Sequence, residues 1–203
     1  MGLISDGTTI FDAGALDSGL AKGAMTFIKK LTASSSATLS FVDGASGVVL
    51  DGTYKEYVFT FNNIHAATDA ADFTVNFRDG STAYDATKTT TFFLANHGEN
   101  DATNFEYFSA KDVAEGTGVQ PIGRRPGNDA DQSSSGMLHL YDPSNTTFAK
   151  NFSSRVNSYI DSDFTEECYV AGYINVTAAI DGVQFKMASG NIDSGDICLY
   201  GIS

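Results

Sequence analysis

The sequence predicts an all-β protein: an antiparallel β-sandwich, jelly-roll-like in topology, preceded by an extended N-terminal arm. Three observations predict it. About ten short runs alternate apolar and polar residues, Asp-Gly pairs end several of them, and helical periodicity is almost absent. Short strands without alternating helices are typical of sandwiches and barrels rather than of α/β folds. A length of 203 residues fits one domain of this kind.

The N-terminal segment lacks both a helical period and a clean strand pattern. Residues 2 to 22 mix small, acidic and apolar types and include four glycines. We therefore expect an extended arm at residues 1–23 and a single sandwich domain at residues 24–203. Such an arm either packs on its own domain or lies on a neighbouring subunit, and its candidate contact residues are Leu3, Ile4, Ile10 and Phe11.

From Ala24 onwards the period-two runs predict strands. In the clearest run, Tyr57, Phe59 and Phe61 fall on one face. The Asp-Gly pairs, such as Asp79-Gly80, are typical of hairpin turns. The predicted strands are Met25–Leu31, Ala37–Val42, Tyr54–Phe61, Phe73–Phe77, Lys88–Leu94, Met137–Tyr141, Phe148–Ile160, Cys168–Thr177, Val183–Met187 and Asp196–Ile202.

One long interruption, residues 109–136, has no sustained periodicity and holds two of the three prolines. Only Ser109 to Glu115 suggests a helical turn. Loops longer than roughly 12–15 residues are uncommon in compact domains unless they bind something. We expect an interface or recognition loop, with Pro121, Ile122, Arg124 and Arg125 as candidate contacts, or else a long surface loop packed on its own sandwich.

The net charge of the chain indicates which classes of partner to expect. The chain has 25 acidic and 12 basic residues, a net charge of -13 and an isoelectric point near 4.3. Such a chain repels phosphate, so we expect no nucleic-acid partner. No apolar run approaches the roughly 18 residues that a membrane helix needs, so no membrane partner is expected either.

The sequence has few motifs typical of catalytic or metal sites. Asp161, Asp163 and Glu166 cluster in one short segment and form a weak Ca²⁺ candidate, because hard cations prefer oxygen ligands. The segment lacks the glycine that an EF-hand loop requires. Neither a G-x-S-x-G motif nor zinc-type ligand spacing is present. We expect a non-enzymatic protein without a cofactor, with Ca²⁺ as the alternative.

The C-terminal run Met187–Ile202, MASGNIDSGDICLYGI, together with Tyr54–Phe59 and Tyr169–Tyr173, resembles virion proteins of marine tailed bacteriophages. The resemblance covers roughly residue 24 to the end, and its motifs are turns and strand cores. It implies a structural protein located in the virion, most simply a capsid decoration or cement protein. Its expected partners are other copies of itself, in a trimer, and the major capsid protein or other virion proteins. The alternative is a tail-fibre adhesin that recognises host glycans.

Overall fold

The computed structural model describes residues 3–5, 8–12, 15–16 and 24–203. None of the elements in these ranges is a helix long and apolar enough to cross a membrane. The described elements are β1 (Leu3–Ser5), β2 (Thr8–Asp12), β3 (Ala15–Leu16), β4 (Met25–Thr32), β5 (Leu39–Val42), β6 (Glu56–Ala66), β7 (Phe73–Arg78), β8 (Lys88–Gly98), β9 (Thr103–Tyr107), a 3-10 turn (Ser109–Lys111), β10 (Gln120–Gly123), β11 (Ser134–Tyr141), β12 (Lys150–Ile160), β13 (Phe164–Ile174), β14 (Gly182–Met187) and β15 (Ile192–Ile202).

Two antiparallel sheets form the sandwich. The large sheet has eight strands in the order β4-β15-β6-β11-β12-β13-β8-β9, and the small sheet has four in the order β10-β7-β14-β5. The predicted all-β antiparallel sandwich is thereby confirmed. The finer jelly-roll topology, eight strands in two Greek keys, stays a prediction for these sheets of eight and four strands.

The core lies between the two sheets and is rich in phenylalanine. The alternation in β6 directs Phe59 and Phe61 inward, where both rings contact Phe185 of β14 at centroid distances of 5.3 and 5.2 Å. Phe41 and Phe73 extend the same cluster. Edge-to-face aromatic pairs of this kind stabilise a core beyond the burial of their area.

The N-terminal segment is more regular than the sequence predicts. Strands β1, β2 and β3 pair antiparallel in a separate three-stranded sheet, with Leu3 opposite Phe11. Strands of two to five residues are too short to show a hydrophobic period, so the sequence alone does not predict them.

The segment predicted as one loop, residues 109–136, is divided by short elements. It begins with the 3-10 turn, contains the edge strand β10, and ends inside β11. β10 pairs with β7 of the small sheet. The buried amide of Gln120 donates to the carbonyls of Lys111 (3.2 Å) and Pro121 (2.7 Å). The segment therefore packs on its own sandwich, and its role as an interface or recognition loop stays a prediction.

Two lysines are buried at the ends of long strands. Lys150 Nζ donates to the carbonyls of Val176 (3.1 Å), Thr177 (2.9 Å) and Ala178, so its charge is well satisfied. Within the described residues, Lys88 Nζ donates to a single acceptor, the carbonyl of Ala86, at 3.1 Å. Burial lowers the pKa of Lys88 to about 8.

Candidate interaction surface

An aromatic row crosses the outer face of the large sheet, the face that points away from the small sheet. Strand register places Tyr107 of β9 opposite Phe93 of β8, and Phe93 opposite Tyr169 of β13. The Phe93 and Tyr169 rings stack with centroids 4.8 Å apart and an interplanar angle of 7°. Phe105 packs edge-on against Phe93 at 6.0 Å. We name Phe93, Phe105, Tyr107 and Tyr169 the aromatic row.

Arg155 of β12 continues the row. Register places it opposite Tyr169, and its guanidinium carbon lies 5.6 Å from the Tyr169 ring centre. Its Nε donates to Glu167, and this hydrogen bond raises the pKa of the guanidinium. Met137 of β11 is the next neighbour and is exposed. Aromatic residues, methionine and arginine are the types enriched in protein interfaces.

The edge strand β9 is the most exposed part of this surface. All five of its residues are exposed, and Phe105 and Tyr107 are 73% and 59% accessible. The Tyr107 hydroxyl donates to Asp112, and this hydrogen bond raises the pKa of the phenol. A monomer rarely leaves large aromatic side chains side by side in solvent, so this strand is a candidate contact site.

An open depression of about 530 Å³ lies beside the row, between the β8–β9 and β12–β13 hairpins. His97 Nε2 lies 3.2 Å from Asp101 Oδ1, and the Tyr159 hydroxyl donates to Asp163 Oδ1 at 3.2 Å. The latter hydrogen bond raises the pKa of Tyr159. The depression therefore combines an aromatic ring with polar groups that accept and donate hydrogen bonds.

The candidates at 121–125 have intramolecular roles, which corrects part of the prediction. Ile122 is fully buried in the core and is not a contact residue. Pro121 is half-buried in β10, where it lies opposite Thr74. Arg124 pairs with the buried Glu166 and lies over the Phe108 ring at 5.5 Å.

The last of these candidates, Arg125, pairs with Asp161. Its amide N–H also donates to Asp72 at 3.1 Å. The conformation of the 124–125 segment is therefore fixed by contacts within the chain, and its two arginines balance acids of the same domain.

The calcium candidate is not assembled. Asp161 and Glu166 each pair with an arginine, and Asp163 lies in the tight turn between β12 and β13. In the part of the chain that the structure describes, no group of three or more His, Cys, Asp or Glu side chains is arranged to hold a metal ion. In this structure the three acidic side chains take part in ion pairs and a turn, and calcium binding stays a prediction.

The arm candidates lie in the separate sheet. Leu3 and Ile4 belong to β1, and Ile10 and Phe11 to β2. Of their side chains only that of Ile4 falls within the described residues, and it is 59% exposed. The contact role of these four residues stays a prediction.

The sequence does not predict the aromatic row. Its members come from β8, β9 and β13, and only strand register brings them together. A weak signal was present: Thr103–Tyr107 reads TNFEY, with Phe105 and Tyr107 two positions apart. Comparison of the chain with protein-family models, with curated proteins and with solved structures finds no match.

Proposed function

We propose that this chain is a non-enzymatic structural protein of a bacteriophage virion that decorates or cements the capsid surface. The resemblance of the C-terminal run and of two strand segments to phage virion proteins supports this role. The observation that carries it is the aromatic row with Arg155: a rigid, open, interface-like surface on the outer face of an eight-stranded sheet.

The chemistry of this surface suits a protein partner. Phe93 and Tyr169 are held in place by stacking, so little side-chain freedom is lost when a partner covers them. Arg155 supplies a cation beside the rings, and Glu167 orients it. We propose that a capsid protein, or another virion protein, covers the row.

The acidic balance of the chain also fits an exterior position. A net charge of -13 disfavours contact with the packaged nucleic acid, because like charges repel. The same charge keeps a densely decorated particle from associating with its neighbours. We therefore propose a position on the outer surface of the particle.

The test is the protein content of purified particles. Mass spectrometry of gradient-purified virions should find the chain at a fixed ratio to the major capsid protein, and repeated high-salt washing should leave part of it bound because the row contact is largely apolar. Abundant chain in the infected-cell lysate, with none in purified particles, would overturn the proposal.

A second candidate is a tail-fibre adhesin that recognises host glycans, and the depression beside the row favours it. Tyr159 offers a ring face, while Asp101 and Asp163 offer acceptors for sugar hydroxyls. The test is a glycan array with the parent chain and Tyr159→Ala. Binding that is lost in the variant would support the adhesin, and an array without signal would count against it.

A further inference from the structure

The two sheets of the sandwich, as described over residues 24–203, end in four edge strands: β4, β9, β5 and β10. An edge strand exposes unpaired main-chain groups, and proteins protect such edges with lysine, proline, bulges or short length. β4 is protected by Lys29, Lys30 and a bulge in its pairing with β15. β10 is protected by Pro121 and a bulge, and β5 by its short length of four residues. β9 has no lysine, no proline and no bulge.

The main-chain groups on the outer side of β9 are positioned to pair with another strand. Gly98 N–H donates to the carbonyl of Ala102 at 2.8 Å, and Phe108 N–H donates to the carbonyl of Phe92 at 2.9 Å. Hydrogen-bonded pairs alternate in an antiparallel ladder, so the main-chain groups of Asn104 and Glu106 face β8. Those of Thr103, Phe105 and Tyr107 therefore point away from the sheet.

We propose that β9 pairs antiparallel with β9 of a second copy of this chain, with Phe105 opposite Phe105 at the two-fold axis. In this register Thr103 lies opposite Tyr107 and Asn104 opposite Glu106. The outward groups of Thr103, Phe105 and Tyr107 then form the hydrogen-bonded pairs, each exchanging two main-chain hydrogen bonds. The two large sheets become one continuous sheet.

The sequence of β9 is self-complementary in this register, which argues for a second copy as the occupant. No like charges meet directly: the only charged residue, Glu106, faces Asn104. These two side chains already hydrogen-bond within one chain, Asn104 Nδ2 donating to Glu106 Oε2 at 3.0 Å. At the axis the two Phe105 rings meet as a cross-strand aromatic pair, which is favourable.

The contact also extends the outer-face surface. Phe105 packs on Phe93 in each copy, so the pairing joins two aromatic rows across the axis. A two-fold contact closes on itself and gives a dimer, which differs from the trimer expected from the phage resemblance. The contact depends on the β9 edge alone, so it does not rest on the proposed virion role.

The opposite edge of the large sheet, β4, is the alternative partner for β9 of a second copy. That contact would be head-to-tail and would generate open chains of increasing mass rather than a dimer. The lysines and the bulge of β4 disfavour it. The mass distribution in solution distinguishes the two arrangements.

The first test is the mass of the full chain by light scattering across a concentration series. We expect twice the monomer mass of 21.5 kDa at high concentration. Phe105→Lys places two like charges at the axis and should shift the dimer dissociation constant at least tenfold towards monomer. Phe27→Lys makes the same change on the exposed face of β4 and should leave the dimer intact.

A second measurement uses the unsubstituted chain and reports the register. In hydrogen exchange, the amides of Thr103, Phe105 and Tyr107 should be protected in a concentrated sample and exchange fast in a dilute one. Those of Asn104 and Glu106 should be protected in both. Equal exchange at both concentrations, masses that grow beyond the dimer, or a dimer that persists in Phe105→Lys would overturn the proposal.

Discussion

Arg124 and Glu166 form a bidentate ion pair inside the sandwich, with Arg124 Nε 2.8 Å from Glu166 Oε1 and Nη2 bonded to Oε2. The Glu166 side chain is 0% exposed and that of Arg124 is 15% exposed. Asn96 Nδ2 adds a third hydrogen bond to the carboxylate, at 3.2 Å. Arg124, an interface candidate, and Glu166, a calcium candidate, therefore neutralise each other's charge and satisfy each other's hydrogen-bonding groups.

Arg124→Met should strongly destabilise the protein, because it leaves the Glu166 charge buried without its partner. We expect a loss of about 3–5 kcal/mol in the free energy of unfolding, and recovery of most of it in the double variant Arg124→Met/Glu166→Met. Urea denaturation measures both. The matched control is Arg155→Met at the exposed pair with Glu167, where about 1 kcal/mol or less is expected. Equal losses at the two pairs would contradict this account.

The turn between β12 and β13 accounts for Asp163, one of the acidic residues considered for calcium. Ile160 pairs with Phe164, and Asp163 has a positive φ of 63°, which fits a three-residue hairpin loop that ends in the left-handed region. Asp163→Val should lose about 1–2 kcal/mol of stability, while Asp163→Gly should not. Thermal unfolding of the parent and the two variants measures these changes in stability. Added calcium should leave the Tm of all three unchanged. A calcium-dependent rise in Tm that disappears in Asp163→Gly would instead indicate a metal site.

Lys88 makes stability depend on pH. Its folded pKa of about 8 lies below the ordinary value of 10.5 because of burial. Between these values the unfolded chain holds the proton and the folded chain does not, so the free energy of unfolding rises with pH. We expect a rise of about 2 kcal/mol from this group between roughly pH 7.5 and 9.5.

Lys88→Met should remove that rise and raise stability near neutral pH, since the burial of a charge is avoided. Denaturation curves at several pH values measure the difference between parent and variant. Lys55→Met, at an exposed lysine, is the control and should follow the parent. Parallel pH profiles for the parent and Lys88→Met would show that the buried amine is not the cause.

If the aromatic row is the contact with the particle, single substitutions in it should weaken binding. Phe93→Ala or Tyr169→Ala should reduce the occupancy of stripped particles about tenfold or more, as expected for buried aromatic residues at the centre of an interface. Tyr173→Ala changes an exposed tyrosine on the same strand, outside the row, and should bind as the parent does. Occupancy is measured after reconstitution of particles from which the chain has been removed. Unchanged occupancy in both row variants would exclude the row as the contact.

Much of the sandwich follows from the sequence because its strands have one buried face. Tyr57, Phe59 and Phe61 alternate with more polar positions in β6, and burial on one side of a sheet requires that period. For β10 the sequence predicts a loop, because Pro121 and Gly123 are typical turn residues. Proline is nevertheless tolerated on an edge strand, where no ladder hydrogen bond from its nitrogen is needed.

The candidate interaction surface could not be predicted from the sequence alone. Phe93 and Tyr169 are 76 positions apart in the chain, and only the pairing of β8 with β13 stacks their rings. β9 buries no residue, so the hydrophobic pattern that identifies other strands is missing there. The register between distant strands depends on the whole fold, and local sequence patterns carry no information about it.

The central claim, a structural protein on the surface of a phage capsid, is tested most directly by locating the chain on intact virions with gold-labelled antibodies in the electron microscope. The account predicts label distributed over the head, at a density that matches the ratio of the chain to the major capsid protein. Label confined to the tail tips, or particles without label, would contradict it.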